Sequence, residues 1–219
     1  MVLEYIKICG LKKLEEIELS INKGANAVGF IYNVFDSPRN LKKAEILKLL
    51  NDIPNKVFSV IVFKPENLQE IQITTNEINA GLYQIHTKME ISELNLISTD
   101  LKKKIILAYK LNQKNKNQVV NIVRKYNDQF FAFLIDNSEG KGNIFDLKLV
   151  KEFLDECNGA RIILAGGIDI SNIKSIIKTL NPFGIDVSSS LESIKGIKNP
   201  KKIRKLLHKI EKVNKTKRE

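Results

Sequence analysis

The sequence predicts an α/β fold of one domain: a single (β/α)8 TIM barrel, closed by eight parallel strands. Three observations lead there. Short apolar, β-branched runs alternate with helical patterns eight times along 219 residues. No linker, repeat or low-complexity segment breaks that rhythm before a basic tail. Chemistry-bearing residues stand where the runs end, and a parallel barrel gathers its strand ends at one face. Residues 1–212 are assigned to the barrel and 213–219 to a frayed basic tail. A doubly wound open sheet is the structural alternative.

The elements follow in order. Strand one is Tyr5–Cys9, and a helix over Lys13–Lys23 places Leu14, Ile17 and Ile21 at helical spacing. Gly24 closes it as a left-handed cap. Strand two is Ala27–Ile31, followed by a helix over Leu41–Asn51. Strand three, Lys56–Phe63, is nearly all apolar, as a strand covered on both faces should be. Helix three starts near Pro65, a residue favoured in a first helical turn. Strand four is Leu82–His86, with a helical segment over Ile91–Ile97. Strand five, Lys104–Tyr109, leads to a helix over Lys116–Tyr126. Strand six, Phe130–Asp136, leads through a glycine loop to a helix over Asp146–Cys157. Strand seven is Arg161–Ala165, with its helix starting after Asp169 or Ser171, either a good N-cap. Strand eight is Gly184–Ser188, and the closing helix is Pro200–Lys212.

Composition limits the function classes. No apolar run approaches the ~18–20 residues of a membrane span. The start, Met1-Val2-Leu3-Glu4-Tyr5, lacks the features of a signal peptide, so a cytoplasmic location is expected. Cys9 and Cys157 make no disulfide framework, and with two His they form no zinc signature. The net charge is +11. That charge fits an anionic partner, either nucleic acid or a phosphorylated small molecule. The lysines are scattered over nearly every helix rather than striped on one, which makes nucleic acid unlikely as the partner and a lysine-rich surface the plainer reading. Monomer and homodimer both stay open.

The strand ends carry the candidate chemistry. Gly166-Gly167 follows strand seven and precedes a helix, and Ser188-Ser189-Ser190 follows strand eight. Adjacent glycines let the backbone approach an anion, a helix start offers free N–H groups, and loops seven and eight of such barrels often hold phosphate. Gly166, Gly167, Ser189 and Ser190 are therefore the phosphate-binding candidates. Cys9 ends strand one and Asp136 ends strand six, at one rim. A thiol can act as base and a carboxyl as acid when their environments tune them. The plain alternatives are a small buried residue for Cys9 and a cap or loop salt bridge for Asp136. Arg39, in the loop after strand two, suits a planar carboxylate or else is a solvated loop arginine. His86 ends strand four, as a rim histidine.

Taken together, Lys7-Ile8-Cys9-Gly10, Ser37-Pro38-Arg39, Gln84-Ile85-His86, Ile163-Leu164-Ala165-Gly166-Gly167-Ile168 and Gly184-Ile185-Asp186-Val187-Ser188-Ser189 resemble phosphoribosylanthranilate isomerase, in order from residue 6 to about 205. The resemblance implies a (β/α)8 barrel of tryptophan biosynthesis that needs no metal and no cofactor. It implies an Amadori rearrangement of N-(5-phosphoribosyl)anthranilate, with Cys9 as general base and Asp136 as general acid. Arg39 would hold the anthranilate carboxylate, and His86 and Asp186 would contact the substrate at the pocket rim. Gly166, Gly167, Ser189 and Ser190 fall on the family's phosphate loops. The chain departs from the family at Lys12, Thr87, Leu147, Ser190 and Glu139-Gly140-Lys141-Gly142. Competing expectations are a histidine-pathway aldose–ketose isomerase, indoleglycerol-phosphate synthase, or a basic barrel that binds nucleic acid without catalysis.

Overall fold

The structure is a computed structural model that describes residues 2–137 and 146–216. The loop Glu139-Gly140-Lys141-Gly142 lies outside the described residues, as do 217–219. Eight parallel strands form the barrel: β1 (Tyr5–Cys9), β2 (Ala27–Tyr32), β3 (Phe58–Phe63), β4 (Leu82–Ile85), β5 (Ile105–Lys110), β6 (Ala132–Asp136), β7 (Ile162–Ala165) and β8 (Gly184–Val187). Each pairs with its sequence neighbour, and β1 also pairs with β8, which closes the ring. Closure removes the sheet edges that an open, doubly wound arrangement would leave.

The helices are α1 (Leu14–Asn22), α2 (Lys43–Leu50), α3 (Leu68–Glu77), α4 (Ile91–Leu94), α5 (Thr99–Lys102), α6 (Lys116–Tyr126), α7 (Leu147–Glu156), α8 (Ile173–Leu180) and α9 (Pro200–Thr216). Several bounds differ from the sequence expectation, each for a local reason. Leu41 is not helical; with Asn40 it pairs against Ile31 and Tyr32 as a two-residue strand. Helix α3 starts at Leu68 rather than at Pro65, because the Asn67 side chain accepts the Glu70 N–H at 3.0 Å and caps it there. The segment after β4 divides into α4 and α5, with Ser98 capping the second. Helix α9 runs four residues past the expected end. Val213 continues its apolar stripe and is buried, and the Leu3 N–H donates to Asn214 Oδ1 at 3.3 Å. Residues 213–216 thus belong to the helix and not to a frayed tail.

Strand alternation sorts the core into two shells. Ile6 and Ile8 of β1 point outward into the large cluster between barrel and helices. Tyr5 and Cys9 point inward with Val60, Val62, Leu82, Ile106, Leu134 and Ile163. Tyr5, Phe58, Phe131 and Phe183 form an aromatic floor at the strand starts, with ring centroids 5.4 to 6.3 Å apart. This floor leaves the opposite end of the barrel as the open mouth. Gly184 makes room for it: a Cβ there would stand 2.6 Å from Tyr5 Cβ and 2.7 Å from its carbonyl oxygen.

Tyr5 is pinned by rings on three sides, so Gly184→Ala should cost roughly 1–3 kcal/mol through overpacking. A lowered urea midpoint checks this, and an unchanged midpoint would mean that the floor yields to a methyl group.

Candidate active site

A cavity of about 290 Å³ opens at the carboxyl ends of the strands. It is lined by Cys9, His86, Asp136, Gly166, Gly167, Asp186, Ser189 and Ser190, so eight of the nine candidate residues meet in one place. Arg39 does not line it. A larger groove of about 830 Å³ lies between the end of α1 and α9, lined mainly by lysines and other α9 side chains. Its one His–carboxylate pair, His208 and Glu211 at 3.8 Å, lies exposed on the outside of α9, away from the strand ends, so chemistry rather than volume selects the smaller cavity.

The loops of the mouth are tied together. Gly166 and Gly167 have φ of 78° and 65°, a pair of left-handed residues that only glycine adopts at little cost. The Ser190 hydroxyl donates to Ile168 O at 2.7 Å and joins the loops after β7 and β8. The Ser188 hydroxyl donates to Cys9 O at 3.0 Å and joins the loop after β8 to the end of β1. The turn that leads into helix α8 keeps its own amides occupied. The helix begins at Ile173, and Asp169 Oδ1 already accepts the Ser171 N–H at 2.6 Å and the Asn172 N–H at 3.1 Å. Ser188 and Ser190 have each given their one hydroxyl proton to a carbonyl, so an anion held here would use the loop backbone N–H groups and the Ser189 hydroxyl.

Arg39 packs on Gly10, where a Cβ would come within 2.5 Å of its Cδ. Its Nε and Nη2 donate to the two Glu192 carboxylate oxygens at 2.5 and 2.7 Å. Glu192 also accepts from Lys198 Nζ at 3.1 Å and from the Gly196 N–H at 2.9 Å. Burial pushes the Glu192 carboxyl up, but Arg39, Gly196 and Lys198 together hold it down at about 2. The guanidinium thus stands beside the mouth in a fixed orientation, with its Nη1 side outside both of those bonds.

Beneath the cavity lies a chain that sequence reasoning missed. Lys7 has no exposed surface. Its ammonium donates to Asp186 Oδ2 at 2.8 Å and to Gln84 Oε1 at 2.7 Å. A lysine offers only donors, so Gln84 must turn its carbonyl to Lys7 and its amide to His86. The Gln84 Nε2–H then donates to His86 Nε2 at 2.9 Å, which leaves the imidazole proton on Nδ1. Burial and the nearby Lys7 charge lower the His86 pKa to about 4, against a raising pull from Asp136. Burial raises the Cys9 thiol, Lys7 and Lys198 pull it down, and Asp186 pushes it up. Asp186 Oδ1 is buried without a partner among the described residues. The signal for Lys7 was its parity: it shares an inward face with Tyr5 and Cys9 in a strand otherwise made for burial. Glu192 and Lys198 carry no comparable signal, since they sit in a hairpin after β8.

Among the described residues no group of three or more His, Cys, Asp or Glu side chains could hold a metal ion. No helix there is long and apolar enough to cross a membrane.

A closed parallel barrel with a thiol, a carboxylate and a glycine–serine cradle at its mouth defines a barrel enzyme equipped for acid–base chemistry on a small anionic molecule. Residues 6–209 match the family model described as N-(5'phosphoribosyl)anthranilate (PRA) isomerase, and the chain belongs to that family. It is an isomerase. The N-(5'-phosphoribosyl)anthranilate isomerase of Pyrococcus abyssi is 29% identical over 194 residues, covering 86% of this chain and 89% of that one. The crystal structure of phosphoribosyl anthranilate isomerase from Thermotoga maritima superposes with a TM-score of 0.81 at 26% identity, covering 97% of this chain and all of the other. A phosphoribosyl anthranilate isomerase in complex with reduced 1-(o-carboxyphenylamino)-1-deoxyribulose 5-phosphate superposes equally well, with a TM-score of 0.81 at 27% identity and the same coverage.

The neutral His86 has a pH consequence. An unfolded imidazole takes up a proton near pH 6.5, whereas the folded one resists until about 4. Stability from this group is full above pH 6.5 and is lost as pH falls from about 6.5 to 4, by roughly 2–3 kcal/mol. Urea midpoints at pH 7 and 4.5 should show a smaller decline in His86→Gln than in the wild type. An equal decline in both would assign the acid sensitivity to other groups.

Proposed function

We propose that this chain catalyses the isomerisation of N-(5-phosphoribosyl)anthranilate to 1-(2-carboxyphenylamino)-1-deoxyribulose 5-phosphate in tryptophan biosynthesis, with Cys9 and Asp136 as its base and acid. The observation that carries this reading is the convergence of thiol, carboxylate and cradle on one cavity at the barrel mouth. Asp136 gives a proton to the ribose ring oxygen. The C1′–O bond breaks, and the nitrogen lone pair forms a C1′=N Schiff base. Cys9 then removes the C2′ proton. The electron pair left behind forms C1′=C2′, and the C=N electrons return to nitrogen, giving an enolamine. Proton transfer from the C2′ hydroxyl and protonation of C1′ yield the ketose.

The remaining residues bind and orient. The Gly166-Gly167 backbone with Ser189 and Ser190 holds the phosphate. Arg39 holds the anthranilate carboxylate from the rim, steadied by Glu192. His86, neutral at physiological pH, and Asp186 contact the sugar. The reaction needs the base deprotonated and the acid protonated at the same time, which makes the kcat/KM profile bell-shaped.

Two kinds of variant test this. Cys9→Ala and Asp136→Asn should each lower kcat by roughly 10²–10⁴, the usual worth of a positioned base or acid. KM should change little, and Asp136→Asn should lose one limb of the pH profile. Near-normal turnover in Cys9→Ala would remove the thiol from the mechanism.

The second kind concerns recognition. Arg39→Ala should weaken binding of the reduced product analogue by roughly 1.5–3 kcal/mol, the worth of a charge-assisted hydrogen bond. Gly167→Asp sets a like charge and a strained left-handed residue in the cradle, so inorganic phosphate should cease to compete with substrate. Competition as strong as in the wild type would put the anion site elsewhere.

A further inference from the structure

We propose that Lys7 is a positioning residue which, balanced against Asp186, sets the protonation of the Cys9 thiol. The geometry comes first. Lys7 and Cys9 are two apart on β1 and share its inward face. Lys7 Cε and Cys9 Sγ flank one point, since a Cβ on Gly29 would stand 2.7 Å from the first and 3.0 Å from the second. The missing side chain of Gly29 leaves the space that the end of the Lys7 stem and the Cys9 sulfur share. Lys7 is held from below and from the side by Gln84 and Asp186, both buried, so it cannot swing away.

Among the described residues, the charges that face Cys9 come from several elements. Lys7 comes from its own strand, Asp186 from β8 and Lys198 from the hairpin beyond β8. His86 and Asp136 line the same cavity from β4 and β6, and Arg39 with Glu192 stands behind Lys198. Lys198 is already engaged by Glu192 and by the Ser188 carbonyl at 3.0 Å. Asp186 has a second oxygen, Oδ1, that nothing described neutralises. An opposite charge close by favours the ionised thiol and a like charge disfavours it, more strongly where water is excluded. Lys7 therefore favours the thiolate, and the incompletely neutralised carboxylate across the seam restrains it.

The inference deepens the role given to Cys9 and is read without substrate, so the two fail separately. If Cys9 is not the base, Cys9→Ala still turns over. If Lys7 does not govern the thiol, the alkylation pattern below is absent. In a Cys157→Ala background Cys9 is the sole thiol of the chain. Its alkylation by iodoacetamide is followed by mass spectrometry between pH 6 and 10. Thiolate fraction sets the rate, partly offset by the lower nucleophilicity of a more acidic thiol. At pH 8 Asp186→Asn should raise the rate at least ~3-fold, and Lys7→Met should lower it at least ~3-fold. The double variant should fall between the two. A packing role alone predicts no such opposite signs. Rates unchanged, or moved in one direction by both, would overturn the proposal. Should Lys7→Met fail to fold, Asp186→Asn decides by itself, and an unchanged or slower rate overturns the proposal.

Discussion

The rest of the structure depends on the seam between β1 and β8. Lys7 stands directly opposite Asp186 in that pairing, and their side chains meet inside the barrel at 2.8 Å. Burying an ammonium and a carboxylate is costly unless they are paired and further hydrogen-bonded, and removing either leaves an uncompensated charge. Gln84 supplies the extra acceptor for the ammonium. The ion pair can form only if the ring closes in this register, because a one-residue slip of either strand would turn its side chain to the other face of the sheet. Closure and interior charge are one constraint, and Gly184 and Gly29 leave the space that both need.

From that seam the mouth is built upward. Cys9 sits two residues beyond Lys7, and its carbonyl takes the Ser188 hydroxyl from the loop after β8. The same loop reaches Arg39 through Glu192 and reaches the β7 loop through Ser190. Gly196, whose Cβ would come within 2.8 Å of Pro38 O, packs that hairpin on the loop carrying Arg39. Thiol, guanidinium and glycine–serine cradle are therefore fixed relative to one another before any ligand arrives. Such preorganisation converts binding into correct orientation.

The fold was legible because its signals are periodic. All eight strands stand where apolar β-branched runs place them, and α6 has the bounds its spacing predicts. Errors fell where side-chain caps override propensity, as Asn67 does over Pro65, or where an element is too short to show a period, as with Asn40–Leu41. Eight candidate site residues share a cavity because strand ends can be counted in sequence and closure brings them together. What sequence could not show is which partner each charge takes. Arg39 reads as available for a carboxylate, yet Glu192, 153 positions away, already holds it. Lys7 reads as a polar interruption of a strand until the register sets it against Asp186. Pairings of this kind are long-range, and no local pattern encodes them.

The central claim is that the seam and its loops hold one sugar phosphate with its C2′ carbon at Cys9. A crystal structure of this chain with reduced 1-(o-carboxyphenylamino)-1-deoxyribulose 5-phosphate tests it most directly. The account predicts the phosphate on the Gly166–Gly167 and Ser189–Ser190 loops, the carboxylate toward Arg39, and C2′ about 3–3.5 Å from Cys9 Sγ, the separation of a reactive pair. A phosphate seated elsewhere, or a sugar whose C2′ faces away from the sulfur, would contradict it.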